Sequence, residues 1–191
     1  MSTTGSWKSL RSRRWKKVNK DSVRTITGSI LLLAAAVVLG LCITTFIGRI
    51  VVIDGNSMLP TLKHGDVIIA ERITPRFGEI RQGDIVVLKI PELLEGKKKY
   101  AVKRVIAVGN QHVEIRDGKV FVDGTELPED YISADETYAD GSPYADMTVP
   151  GDCVYVLGDN RLPGKSRDSR TFGPVNVKRI MGKFWRRIFP F

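Results

Sequence analysis

The stretch ILLLAAAVVLGLCITTFI, residues 30–47, followed by Arg49-Ile-Val-Val-Ile53, decides the fold. From Thr25 to Gly48 there is no charged residue. As a helix rising 1.5 Å per residue, such a segment spans about 36 Å, enough for a bilayer core of about 30 Å. The residues before it are basic: Lys8, Arg11, Arg13, Arg14, Lys16, Lys17, Lys20 and Arg24 stand against one acid, Asp21. By the positive-inside rule this order places the N-terminus in the cytoplasm. A cleaved signal peptide has the same order of charge and apolar residues. Its apolar core, however, is about 7–15 residues long and ends at small residues. Here the core is longer and ends in Thr44-Thr-Phe-Ile-Gly-Arg49. The chain therefore divides into a basic cytoplasmic segment, 1–24, a transmembrane anchor, 25–48, and an extracytoplasmic domain, 49–191.

Beyond Arg49 the hydrophobic period changes. The runs 66–70, 84–90, 101–108, 112–116 and 119–122 are short, rich in β-branched residues and bounded by Gly, Asn, Asp or Pro. Asp117-Gly118 lies between two of them and reads as a hairpin turn. The runs 153–157 and 179–185 come later, and no amphipathic helix of ten residues is evident. The pattern predicts a mostly β, antiparallel domain on a single N-terminal transmembrane helix. Residues 128–148 are polar and acidic and read as a long loop or small excursion. A hydrophobic share of 42% and a charged share of 27% argue for a folded chain.

The net charge of +9 over 191 residues suggests at first an anionic partner. The 163 residues after position 28 carry 22 basic and 20 acidic groups, so the body is nearly balanced and a nucleic-acid-binding domain is not expected. Cys42 and Cys153 form no CxxC motif, and with only His64 and His112 there is no zinc-type ligand pattern. Neither a metal nor a cofactor is expected, and both histidines read as surface residues.

Three segments carry candidate chemistry. In Gly55-Asn56-Ser57-Met58-Leu59-Pro60-Thr61-Leu62, a serine in a Gly-containing turn can project its hydroxyl and leave backbone N–H groups free for an oxyanion. Most such serines are only turn formers. In Ala101-Val102-Lys103-Arg104, a strand would put Lys103 on one face with Ala101, Val105 and Ala107. Burial lowers a lysine pKa from about 10.4, and one near 7–8 can act as a general base. The alternative is an edge-strand lysine in water, equivalent to Arg104, and periodicity does not choose between them. The third segment runs from Cys153 through Gly158-Asp159-Asn160-Arg161 to Ser166-Arg-Asp168-Ser169-Arg170. Such a loop can brace a site through charged hydrogen bonds or be a solvated turn.

Together, over nearly the whole chain, these segments resemble the bacterial type I signal peptidases. Ser57-Met58-x-Pro60-Thr61-Leu62 is similar to the family's nucleophile box and Gly83-Asp84-Ile-Val-Val to its next strand. Val102-Lys103-Arg104-Val105-Ile106 is similar to the general-base box, and Gly158-Asp159-Asn160-Arg161 with Ser166-x-Asp168-Ser169-Arg170 to the last box. The single anchor and short β domain suit a Gram-positive-type member. The resemblance implies a Ser57 nucleophile, a Lys103 base and the Ser57 N–H as an oxyanion donor, with no cofactor. It also implies that Ser166 hydrogen-bonds Lys103, that Asp159, Arg161, Asp168 and Arg170 hold the loop, and that Asp159 pairs with Arg104. Ile53, Met58, Leu62 and Val102 become candidate walls of a shallow pocket for the small, Ala-X-Ala-type residues before the cut; each of them also reads as ordinary β core.

The chain departs from the family pattern at several points. Gly55 stands where some relatives have a serine that adds an oxyanion donor, and Ala101 where tyrosine is frequent. The Pro-Gly-Asp after the lysine strand reads Val108-Gly109-Asn110. Four residues, Leu162-Pro-Gly-Lys165, separate Arg161 from Ser166 where relatives commonly have two. The implied partners are signal peptides of exported preproteins and the lipid bilayer, with a monomer expected. The rival readings are a membrane-tethered, non-catalytic β binding module and a Ser–Lys protease of the self-cleaving repressor type.

Overall fold

The structure is a computed structural model that describes residues 6–42, 48–90, 100–139 and 141–189. It separates into two units, 1–44 and 45–191. The first holds α1 (Ser6–Cys42). Within α1, Ser22–Cys42 is long and apolar enough to cross a membrane, with a mean hydropathy of 2.3 and none of it buried. Its 21 residues would span about 31 Å. Leu31, Leu32 and Leu33 are consecutive, so they point in three directions around the axis, and each is about 70% exposed. A helix apolar all round is suited to lipid rather than to a half-buried surface. The expected anchor segment ran to residue 48. Gly48 instead opens the first strand, and residues 43–47 lie outside the described residues.

The second unit is the mostly β domain that the short β-branched runs predict. Its elements are β1 (Gly48–Val52), β2 (Val67–Glu71), α2 (Thr74–Phe77), β3 (Ile85–Lys89), β4 (Tyr100–Val108), β5 (His112–Arg116), β6 (Lys119–Val122), β7 (Thr125–Glu126), β8 (Asp146–Thr148), β9 (Cys153–Leu157), α3 (Ser169–Phe172), β10 (Val175–Asn176) and β11 (Ile180–Phe189). They form a seven-stranded sheet, order β1-β2-β11-β3-β4-β9-β10, and a four-stranded sheet, order β7-β6-β5-β8. The strand pairings are antiparallel. Asp117 and Gly118 join β5 to β6 with φ of 51° and 74°, the two positive values that a tight hairpin turn needs.

Three apolar clusters hold the sheets. One packs Val86, Leu88, Val105, Val154 and Val156 in the large sheet. A second packs Ile106, Ala107, Tyr155 and Leu157 against Val113, Val120 and Val122 of the small sheet. The third, Ile53, Met58, Leu62, Ile68 and Ile85, lies behind the loop that leaves β1.

Two readings from periodicity change here. The alternation from Lys103 to Ala107 breaks at a register shift between Val105 and Ala107, so Ile106 and Ala107 enter the same cluster. The last strand also runs beyond Trp185 to Phe189 and lies between β2 and β3. Its register shifts, between Phe184 and Arg186 and again between Arg187 and Phe189, defeat a period-two pattern.

The turn after β4 packs backbone on backbone. A Cβ on Gly109 would fall 2.2 Å from the Gly151 carbonyl oxygen, a group that cannot swing away. Gly109→Ala should therefore destabilise the domain by about 1–3 kcal/mol, the usual cost of overpacking. A lowered urea midpoint at unchanged m-value would show it.

Candidate active site

The loop after β1 is shaped for a protruding serine. Gly55 has φ 127°, a conformation that residues with a Cβ rarely adopt. Met58 and Leu62, each 1% exposed, plug the far side of the loop into the third cluster, and Leu62 N–H closes a turn on the Met58 carbonyl at 2.9 Å. Ser57, just before Met58, is left half-buried at the surface of this turn. Its backbone N–H has no hydrogen-bond partner among the described residues.

β4 supplies the group that meets it. Lys103 pairs with Val86 of β3 in the middle of the large sheet, and its residue is only 3% exposed. Lys103 Nζ lies 2.7 Å from Ser57 Oγ. Of the two adjacent cations it is Lys103, not Arg104, that reaches the serine. Ser57 and Lys103 line a cleft of about 390 Å³ whose walls include Ile53, Met58, Ala101 and Val102. Leu62, a candidate wall in the sequence, does not line the cleft. It lies behind Met58 in the core, at the other end of a turn closed by its own N–H on the Met58 carbonyl.

β9 delivers the third segment against the back of Ser57. A Cβ on Gly158 would stand 2.4 Å from the Ser57 carbonyl oxygen and 2.3 Å from Ser166 Oγ, so only glycine permits this approach. Asn160 N–H then donates to the Ser57 carbonyl at 3.1 Å, and Asn160 Nδ2 to the Asn56 carbonyl at 3.0 Å. Asp159, fully buried, accepts from Arg104 Nε at 2.8 Å, Arg104 Nη2 at 2.6 Å and Thr61 Oγ1 at 2.5 Å. The pairing expected of Asp159 and Arg104 is thus present and ties the serine turn to the lysine strand. The Arg104 guanidinium also lies 3.9 Å over the Tyr131 ring.

Arg161, Asp168 and Arg170 of this loop are also paired. Asp168 accepts from Arg170 Nε at 2.9 Å, Arg170 Nη2 at 2.8 Å and the Gly158 N–H at 3.0 Å. Burial pushes its carboxyl up, but the hydrogen bonds and charge of Arg170, with the Gly158 N–H, outweigh this and hold it below the usual carboxylate range. Arg161 does not join these acids. Fully buried, it forks onto the Glu129 carboxylate and also donates to Thr137 Oγ1 at 2.7 Å and the Gly158 carbonyl at 2.9 Å.

Two expected contacts are missing. Among the described residues, buried Ser166 Oγ makes no hydrogen bond of ordinary geometry, so the bond to Lys103 implied by the resemblance is not formed, although Ser166 lies near enough to Asp168 to help lower its carboxyl. The oxygen is packed over Gly158 instead, in a loop two residues longer than is common among relatives. Gly55, the candidate second oxyanion position, has its N–H engaged by His64 Nδ1 at 3.3 Å. Reading the sequence gave no role to Thr61 or Tyr131 and did not single out Glu129 or Thr137. Glu129 lies 32 positions from Arg161, in a stretch that reads as polar loop, and no local spacing signals the pair. Its one trace is chemical: a buried arginine needs an acceptor.

Among the described residues, His112, Glu114 and Asp146 could present metal-ligating atoms within 4.8 Å of one another. None lines the cleft, and each has a protein partner: His112 Nε2 lies 3.1 Å from Asp146, and Arg116 Nε lies 3.2 Å from Glu114.

Comparison with known proteins places this geometry. Residues 24–189 match the family model for signal peptidase, peptidase S26. The chain is 37% identical over 169 residues to a probable signal peptidase I-1 of Synechocystis sp., covering 86% of this chain and 83% of the relative. It is 31% identical over 184 residues to signal peptidase I S of Bacillus subtilis, covering 92% and 96%. A crystal structure of a signal peptidase I from Enterococcus faecalis is 30% identical, covers 55% of this chain and 95% of that one, and has a TM-score of 0.44. The chain belongs to the signal peptidase family, peptidase S26.

The buried charges of the loop set two expectations for stability. Arg161→Ala strands the Glu129 carboxylate in a buried site and should cost about 3–5 kcal/mol, whereas the paired apolar replacement Arg161→Met with Glu129→Leu should restore most of it; urea unfolding of both variants checks this. For Asp168, an unfolded aspartate titrates near 3.9 and the folded one lower, so its stabilisation is complete above about pH 5 and is lost as pH falls through the folded value. Asp168→Asn should therefore flatten the acid limb of the stability–pH curve.

Proposed function

We propose that this protein is a membrane-tethered serine endopeptidase that removes signal peptides from exported preproteins. Ser57 is the nucleophile and Lys103 the general base. The observation that carries the reading is the 2.7 Å approach of Lys103 Nζ to Ser57 Oγ by a lysine that is 3% exposed. Burial between apolar walls penalises the ammonium form, and a neutral amine at hydrogen-bond distance can take the serine proton.

In the proposed reaction the substrate binds extended. Along β4, pairing with β9 begins only at Arg104, so among the described residues the backbone edge of 100–103 on that side is open, and β1 has a neighbour on one side only. A peptide strand entering the cleft can hydrogen-bond to these edges. Ile53, Met58 and Val102 then wall shallow spaces that accept a methyl and clash with bulk, consistent with small residues of the Ala-X-Ala type before the cut. Ser57 Oγ attacks the carbonyl carbon while its proton passes to Lys103 Nζ. The Ser57 N–H faces the developing oxyanion. Lys103 gives the proton to the leaving amine as the acyl-enzyme forms. It then takes a proton from the water that hydrolyses the ester. The bonds to Asn160 and the Arg104–Asp159 pair keep the serine turn and the lysine strand in register through these steps.

Ser22–Cys42 is the proposed anchor, with the basic N-terminal segment on the cytoplasmic face and the β domain on the outer face. The enzyme acts as a monomer on signal peptides emerging across the bilayer.

Ser57→Ala and Lys103→Ala should each lower kcat/KM for a preprotein in detergent by about three orders of magnitude or more, with the unfolding midpoint of Ser57→Ala near that of wild type. Wild-type processing by either purified variant refutes the assignment.

A further inference from the structure

The four-stranded sheet carries a cluster that the proposed chemistry does not use. β5 and β8 pair antiparallel, with His112 opposite Thr148 and Glu114 opposite Asp146. The alternate residues Val113, Ile115 and Met147 pack into the core, so His112, Glu114, Asp146 and Thr148 share the solvent face. His112 Nε2 lies 3.1 Å from Asp146 Oδ1, and His112 Nδ1 lies 3.3 Å from Thr148 Oγ1. One nitrogen or oxygen from each of His112, Glu114 and Asp146 falls within 4.8 Å of the others. Glu114 and Asp146 are also like charges directly opposite each other, which opposes strand pairing. Arg116 Nε, 3.2 Å from Glu114 Oε2, relieves this on one oxygen. Asp123, whose carboxylate accepts from the His112 backbone N–H at 2.8 Å, adds further negative charge beside the imidazole.

We infer that His112, Glu114 and Asp146 form a binding site for a divalent cation of the zinc type. An imidazole nitrogen with two carboxylates suits zinc, whereas magnesium and calcium prefer oxygen alone. Tetrahedral zinc, about 2.1 Å from each ligand, needs ligand atoms about 3.4 Å apart. His112 and Asp146 already stand near that separation, and Glu114 closes the remainder by rotating its side chain. In the metal-free protein the Nε2 proton of His112 is donated to Asp146. With the metal on Nε2, that proton moves to Nδ1 and is donated to Thr148 Oγ1. A hydroxyl both donates and accepts, so Thr148 serves either tautomer and orients the ring in both. None of the three ligands lines the cleft, so the metal serves stability and not the reaction. It would tie β8 to β5. β8 ends the stretch that supplies Glu129 and Thr137 to Arg161, and the metal would fasten that end to the sheet.

The test is metal binding to the full-length protein in detergent micelles, first stripped with a chelator. Zn2+ is added alone and followed by competition with a chromophoric chelator and by the urea midpoint. Wild type should bind one equivalent and show a raised midpoint at saturation, because the metal binds the folded state. Mg2+ or Ca2+ at the same concentration should leave the midpoint where it was. His112→Gln and Asp146→Asn should each weaken Zn2+ binding by about tenfold or more and remove the midpoint shift. Thr148→Val, which keeps all three ligands, should weaken it by roughly tenfold through loss of the ring's support. His64→Gln alters the chain's other histidine and should bind as wild type does. Should a ligand variant fail to fold, His64→Gln decides on its own. It retains a single histidine, and saturating Zn2+ must move the NMR resonances of that one labelled imidazole. The inference is overturned if wild type binds no equivalent of Zn2+, or if both ligand variants bind it unchanged. An imidazole that Zn2+ leaves unmoved, or an equal midpoint shift with Mg2+, overturns it as well. Each of these results leaves the peptidase reading untouched.

Discussion

The approach of Gly158 to Ser57 is the constraint on which the rest of the site depends. Three separate chain segments must meet within hydrogen-bond distance, and the closest of these meetings is backbone against backbone, with no room for a single carbon at residue 158. Once that contact is made, neighbouring groups fall into place. Asn160 reaches the carbonyls of Ser57 and Asn56, Asp159 reaches Arg104 and Thr61, and the Gly158 N–H and carbonyl are taken by Asp168 and Arg161. The serine turn is thus held from behind by the Asn160 backbone N–H and by the side chains of Asn160 and Asp159. That leaves its hydroxyl side open to Lys103. Reacting groups need placement within a fraction of an ångström, and rigid support of this kind provides it.

Around this contact the loop buries an unusual amount of charge: Asp159, Arg161 and Asp168 are each fully buried. Such groups are costly unless each finds a partner of opposite charge and fills its remaining hydrogen-bond capacity. Here each carboxylate takes a forked guanidinium plus a further donor, and Arg161 takes carboxylate, hydroxyl and carbonyl. Specific partners, more than net stabilisation, are what the arrangement provides. An arginine fork accepts few geometries, so the loop has few alternative conformations. Lys103 Nζ lies 2.7 Å from the Ser57 hydroxyl.

How much of this could be read beforehand depends on the range of each interaction. The apolar segment, the short β-branched strands and the Asp117-Gly118 turn are local features, and the sequence shows them directly. Ser57, Lys103, Asp159 and Arg104 were legible because their motifs stand together in recognisable blocks. The failures lie where distant segments decide. Leu62 looks like a wall but is core, because the turn at Met58 carries it behind the cleft. Ser166 misses Lys103 because a loop of altered length sets its position. Glu129 could not be found, since its only distinguishing property is an arginine on another loop. The alternation along β4 holds up to Val105 and fails at the bulge, a feature set by the partner strand and not by β4 itself.

The open edges of β1 and β4 raise a different question, because unpaired strand edges invite association with any extended chain. Several features limit that liability here. β1 is five residues long, with Arg49 at its start. Among the described residues, the open part of β4 spans only residues 100–103. In the proposed reading, an extended segment pairs with both edges when its side chains are small beside Ile53, Met58 and Val102. The same geometry that supplies backbone hydrogen bonds to almost any peptide thus restricts which peptides can use them. Selectivity then comes from excluding side chains, while affinity comes from the backbone, which every substrate shares.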